Sequence, residues 1–281
     1  MSAADNPFEL GSAFTLLAHA RPEAGPAGQR FGKGTGSSLE FQEFRDYQAG
    51  DDLRHVDWRA YARTETLTTR LYREEVAATI ELILDGSKSM ALTSAKANTS
   101  RGLASFLAGA ASGDSLFKAL LASDPPVPLP LDALRNASAD HLPLISTSPL
   151  DQLPLGGLLR AGSVRVLISD FLYPHDARSL VQKLAARCST FIVLQVLDAD
   201  EWQPPQRGSL HLNDVENGAW RDIAFDDRAA ELYQKRLRRL CDTLQAEVRR
   251  GGGAYVRLIA REDIVDVVYE DLIPTGLVEP R

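Results

Sequence analysis

The sequence has little of what builds thiolate metal sites or disulfide frameworks. Its 281 residues include two cysteines, Cys188 and Cys241, with no paired spacing. Zinc held by thiolates and a disulfide scaffold are therefore excluded as organising features, and both thiols read as ordinary packing residues. Histidine is sparse too: His19, His55, His141, His175 and His211 are scattered, with no pair at metal-ligand spacing. Basic charge is in deficit, 31 Lys and Arg against 38 Asp and Glu, for a net charge of −7. Nucleic acid and anionic lipid both call for a basic face, so neither is an expected partner. No apolar run approaches the roughly 20 residues needed to cross a bilayer, so membrane insertion is not expected. The opening Met1-Ser2-Ala3-Ala4-Asp5 lacks the charged and apolar regions of a secretory leader, and a cytoplasmic location is expected. The Gly32, Gly34, Gly36 run lacks the Gly-Lys-Ser/Thr ending of a phosphate loop, and no Gly-x-Ser-x-Gly elbow occurs.

What the sequence does contain is a run of short apolar segments alternating with amphipathic ones. Thr79–Leu84, Ser115–Ala122, Val164–Ser169, Phe191–Leu197 and Ala254–Ile259 read as strands, all of them largely apolar. Between them Leu103, Phe106, Leu107 and Ala110, and then Leu180, Val181 and Leu184, recur at helical spacing. Tyr233, Leu237, Leu240, Leu244 and Val248 stripe a long helix from about Asp226 to Arg250, stopped by Gly251 to Gly253. This alternation predicts an α/β fold with a mostly parallel central sheet and helices on both faces. Residues 1–40, rich in Gly and Pro, read as a partly flexible lead-in, 41–275 as the folded region with its α/β core from about residue 76, and 276–281 as a tail. Residues 209–225 read as a β-hairpin insertion turning at Asn217-Gly218. The Pro-rich stretch 123–157 reads as loops around one or two short helices.

Two strands end in aspartate, at Asp85 and Asp170, where ligands of parallel sheets collect. After the first comes Asp85-Gly86-Ser87-Lys88-Ser89, whose alternate residues can aim hard oxygen ligands at one Mg²⁺ or Mn²⁺ ion. The same pattern also suits a structural role, in which Ser87 or Ser89 caps the following helix. A second constellation precedes the core: Arg45, Asp51, Asp52, Arg54, Asp57, Arg59 and Arg63 surround Trp58. Three readings stay open for it. It is a structural network with Trp58 packed beneath the ion pairs, a docking surface, or a set of catalytic carboxylates.

The strand running into Asp85-Gly86-Ser87-Lys88-Ser89-Met90 resembles the metal-ion-dependent adhesion site of von Willebrand factor A domains, and Val166–Phe171 resembles the later strand of that site. The resemblance implies that Ser87 and Ser89 bind the metal directly while Asp85 and Asp170 act mainly through bound waters. Such sites also take a threonine from an intervening loop. No Gly-Thr-Asp motif precedes Asp170, so Ser138 is the first candidate and Thr147 the second. A closer resemblance runs over most of residues 40–275. Arg45 to Arg63, Leu197-Asp198-Ala199-Asp200-Glu201 and Leu212-Asn213-Asp214-Val215-Glu216 are similar, in order, to bacterial domain-of-unknown-function family fifty-eight, a von Willebrand A-like group. Genes of that family accompany MoxR-type AAA+ ATPases. The resemblance thus implies a metal-dependent protein-interaction module acting with such an ATPase or its client. A metal-dependent hydrolase, or a scaffold with a vestigial metal site, are the alternatives.

Overall fold

The computed structural model describes residues 6–17, 39–48, 56–74, 79–112, 116–136, 142–146, 150–155, 157–205 and 207–281, with 39–45 and 70–74 described by backbone alone. The chain divides into one unit of residues 1–23 and 78–281 and another of residues 24–77. The first unit begins with α1 (Pro7–Ser12) and β1 (Phe14–Leu16). The second contains β2 (Leu39–Asp46), α2 (Trp58–Thr64) and β3 (Thr68–Glu74). The first then resumes with β4 (Thr79–Asp85), α3 (Ser94–Ala111), β5 (Leu116–Ala122), β6 (Val127–Leu129), α4 (Leu131–Arg135), β7 (Val164–Ser169) and α5 (Ala177–Ala185). It closes with β8 (Thr190–Leu197), α6 (Ala199–Trp202), β9 (Gly208–Asn213), β10 (Trp220–Phe225), α7 (Asp227–Arg250), β11 (Ala254–Ile259), α8 (Ile264–Asp266) and β12 (Val278–Pro280).

The central sheet has the order β11-β8-β7-β4-β5-β6, parallel except for β6. Every side chain of β7 and β8 is buried, as a strand covered on both faces requires. Leu82, Leu84, Val166 and Ile168 pack on one face with Leu103 and Phe106 of α3. Ile83, Leu167 and Val193 pack on the other with Leu180 and Leu184 of α5 and Leu244 and Val248 of α7. The mostly parallel α/β architecture read from the sequence is therefore present. Among the described residues no helix is long and apolar enough to cross a membrane.

The chain ends depart from expectation. Residues 7–16, read as lead-in, and 278–280, read as tail, belong to the core. β1 pairs antiparallel with β12, and Phe8, Phe14 and Val278 are buried. α1 crosses α3 backbone to backbone: a Cβ on Gly11 would lie 2.0 Å from the Phe106 carbonyl oxygen, and one on Gly109 2.1 Å from that of Phe8. Only glycine permits that approach. The hairpin departs in its turn. Asn213 pairs with Trp220, so residues 214–219 form the connection rather than a two-residue turn at Asn217-Gly218. Asp214 organises it, its carboxylate accepting from the Glu216 and Asn217 amides while its carbonyl accepts from Gly218 N.

In the unit of residues 24–77, β2 pairs antiparallel with β3. Asp57 is buried and caps α2, its carboxylate accepting from the Arg59 and Ala60 amides at 3.0 Å. Trp58 does not pack beneath the charges: it opens α2, is 54% exposed and meets Tyr61 edge-on. Capping fixes Asp57 at the helix start, so the next side chain turns outward. Arg59 and Arg63 are exposed on the same helix, and Arg45 lies in β2. Asp51, Asp52 and Arg54 lie outside the described residues.

Candidate functional site

β4 alternates its side chains across the sheet, so Glu81, Ile83 and Asp85 share the face covered by α5 and α7. Asp85 ends the strand, buried. One of its oxygens accepts from the Ser87 amide at 3.0 Å and the other from the Ser169 hydroxyl at 2.5 Å. This Asx-type turn folds the loop so that the Ser87 and Ser89 hydroxyls stand 3.0 Å apart. Ser87 stands at the N-cap position of the short 3-10 turn Lys88–Ala91 but makes no side-chain cap bond, and α3 is capped by Thr93, whose hydroxyl accepts from the Lys96 amide. The segment ending at Ser146 runs alongside, with Ser146 N donating to Gly86 O at 2.8 Å and Lys88 N to Ser146 O at 3.3 Å.

Asp170, one residue beyond β7, is buried beside this loop. Its Oδ2 takes the ammonium of Lys96 at 2.8 Å and its Oδ1 the Leu172 amide at 3.0 Å. Lys96 is fully buried on α3 and also donates to Glu201 at 2.7 and 2.9 Å. Glu201 is held by the capping box that opens α6, where it accepts from the Asp198 amide. Burial pushes the Lys96 ammonium down, but Asp170 and Glu201 outweigh it and hold its pKa above the usual value. Gln195 donates to the Asp170 carbonyl at 2.8 Å and fixes the strand end from the next strand over.

That leaves negative charge over. Burial, and then the charge of Asp170, push the Asp85 carboxyl up to about 6. Burial followed by the charges of Asp85, Asp151 and Asp170 pushes the Tyr173 phenol far above its ordinary range. Among the described residues the Tyr173 hydroxyl, Asp151 Oδ1 and Glu216 Oε2 are all buried without a well-formed hydrogen bond. Glu216 reaches the loop from the hairpin connection, its Oε1 accepting from Ser89 N at 2.9 Å. Among the described residues no three His, Cys, Asp or Glu side chains form a ligand cluster. A cation here would thus rest on serine hydroxyls, carboxylate oxygens and water. That all-oxygen set suits Mg²⁺ or Mn²⁺ and no soft metal. The residues fit such an ion, since surplus buried carboxylate charge and unpartnered oxygens are what a cation would neutralise.

The structure thus brings together Asp85, Ser87 and Ser89, and sets Asp170 beside them, bound to Lys96. Ser138 and Thr147 lie outside the described residues. The reading from sequence named Glu201 and Glu216 only within family-like segments and Ser169 only as a strand residue, and it gave neither them nor Lys96 a role at the site. Asp198-x-x-Glu201 has the spacing of a capping box and was legible as one. Lys96 was not legible, because a lysine in a helix is normally exposed.

A family model described as "Protein of unknown function DUF58" matches residues 43–113 and 150–241, more than half of the chain. The chain is similar to uncharacterized protein Mb1516 of Mycobacterium bovis and uncharacterized protein Rv1480 of Mycobacterium tuberculosis. Each is 29% identical over 217 residues, which cover 71% of this chain and 68% of the relative. Among solved structures it is similar to conserved hypothetical protein BatB of Bacteroides thetaiotaomicron, at 14% identity and a TM-score of 0.40, over 71% of this chain and 99% of that one. It is also similar to an aerotolerance-related membrane protein of Bacteroides fragilis, at 15% identity and a TM-score of 0.39, over 70% and 100% of the two chains.

Proposed function

The chain belongs to the DUF58 family of proteins of unknown function, and on that premise we propose that it is a non-enzymatic, Mg²⁺-dependent protein-interaction module with a von Willebrand factor A-like core. The observation that carries the reading is the under-neutralised Asp85 carboxylate at the end of β4, beside two serine hydroxyls 3.0 Å apart. Ser87 and Ser89 would hold Mg²⁺ or Mn²⁺, with Asp85 and Asp170 acting through charge and water. When bound, the ion supplies an electrophilic position that accepts a carboxylate oxygen from a partner. The chain's own residues prepare that position. The Ser169 hydroxyl and Ser87 amide orient Asp85, and Lys96 fixes Asp170.

The partner we propose is a protein, a MoxR-type AAA+ ATPase or its client, acting in complex assembly or chaperoning in the cytoplasm. Support for that comes from family resemblance, and the absence of a Walker motif from this sequence assigns any ATP-driven step to the partner. Titration calorimetry with Mn²⁺ tests the metal reading: the wild type should bind, and Asp85→Ala/Asp170→Ala should not, with circular dichroism unchanged. Equal affinity in the two overturns it. Pull-down with Mg²⁺ and with EDTA tests the docking reading, which fails if the same proteins are recovered in both and with Ser87→Ala/Ser89→Ala.

A further inference from the structure

The hairpin brings a carboxylate to the site from more than a hundred residues along the chain. Glu216 Oε1 accepts from the Ser89 amide at 2.9 Å, and the Glu216 carbonyl accepts from Lys88 Nζ at 3.2 Å. Both donors belong to the loop that carries Ser87 and Ser89. Local chemistry aims the side chain: the Asp214 carboxylate gathers the amides of residues 216 and 217 and turns the connection over. The second oxygen, Oε2, is buried with no partner among the described residues, so the docked carboxylate keeps an unused acceptor inside the site. The hairpin strands bury little of their own surface. β9 and β10 are exposed along nearly their whole length, with Trp220 at 61% stacked on His211. An element held by polar contacts at its tip and by little apolar burial in its body is one that detaches at low cost.

We infer that Glu216 is an internal occupant of the site, a tethered carboxylate that an acidic side chain of a protein partner displaces. The inference rests on the docking reading above and states how docking is regulated. The chemistry recognised is carboxylate, because the Ser89 amide already holds one, while the Lys88 ammonium holds the backbone carbonyl of the same residue. A tethered group competes at an effective concentration in the millimolar range, so a free acid displaces it poorly. A partner succeeds by adding apolar contact, and an apolar rim is present. Leu92, Ile145 and Leu172 are 50%, 69% and 38% exposed, each within three residues of Ser89, Ser146 or Asp170. The partner segment is therefore an acidic residue flanked by apolar ones.

The test uses the full chain in EDTA, with Glu216→Gln and Glu216→Ala beside the wild type. Exchange of the Ser89 amide, followed by NMR, should speed by about tenfold or more in both variants, the scale of losing a charge-assisted hydrogen bond. Acetate should then slow that exchange in Glu216→Ala at a concentration at least about tenfold below any that affects the wild type. Unchanged Ser89 exchange in both variants overturns the inference, as does an acetate response equal in Glu216→Ala and wild type. These readouts need no divalent ion and no partner. A wild type that binds no Mn²⁺, or recruits the same proteins with and without EDTA, sinks the metal or docking reading and leaves Ser89 protection as a separate result.

Discussion

β4 and β7 carry buried charge at both ends, and the two ends are built differently. Toward the amino end, Glu81 faces Arg165 across the register. The Glu81 carboxylate accepts from the Arg160 amide, the Ser163 hydroxyl and two nitrogens of Arg165. Arg165 spends its remaining donors on the carbonyls of Leu184, Ala186 and Arg160. Charge is matched one to one, and the Cys188 thiol nearby is raised by burial. Toward the carboxyl end, one ammonium, Lys96, serves Asp170 and Glu201, while Asp85 and the Glu216 tip stand close by. Among the described residues carboxylates outnumber cations there, Asp85 is pushed up, and the second oxygen of Glu216 lacks a partner. The pair at one end offsets its own charge, whereas the cluster at the other leaves carboxylates over, which is the feature the proposed ion site uses.

The sharpest break between the two ends is expected from the amino-terminal pair. Arg165→Met leaves Glu81 buried and unpaired and frees three carbonyls, and should cost about 3–5 kcal/mol in urea unfolding. A cost under about 1 kcal/mol would show that water reaches the pair and would erase the contrast. Lys96→Met comes next, at about 3 kcal/mol, because Asp170 and Glu201 lose their shared cation. Here the surplus of carboxylate makes a distinctive correction possible: adding Asp170→Asn should recover more than half of the loss. A double variant no more stable than Lys96→Met would mean that the lysine acts through packing alone.

The smallest effect has the opposite sign. The folded pKa of Asp85 lies above the 3.8 of an ordinary aspartate, at about 6. The stability tied to its protonated form is therefore complete below pH about 4 and is lost as pH rises through about 6 in metal-free protein. Asp85→Asn keeps the shape without the charge, so in EDTA it should stabilise the fold by about 1–3 kcal/mol at pH 7.5 and by nothing near pH 4. Thermal melts at the two pH values check this. Destabilisation at both would place Asp85 with the structural charges at the other end of the strand.

Much of this was legible in the residues alone. Largely apolar runs such as Val164–Ser169 predicted strands buried on both faces, and the Tyr233 to Val248 stripe predicted α7, because burial of apolar surface leaves a period in the sequence. The Asp85-x-Ser87-x-Ser89 spacing marked the loop at the strand end. The error at the chain ends has an equally plain cause. Gly11 reads as a flexible residue when alone, and becomes a packing residue only when Gly109 of α3 lies against it.

Local pattern, then, determined the elements, their order and the loop that carries the serines, since each depends on residues within a turn or a strand of one another. Tertiary structure decided the electrostatics of the site. Asp170 meets Lys96, 74 positions away, and Ser89 meets Glu216, 127 positions away. Charge balance in a buried site is a sum over groups brought together by folding, and in a low-dielectric interior each added charge changes the protonation and affinity of the rest. No spacing along the chain records that sum, so the charges that surround Asp85 come into view only where the strands end side by side.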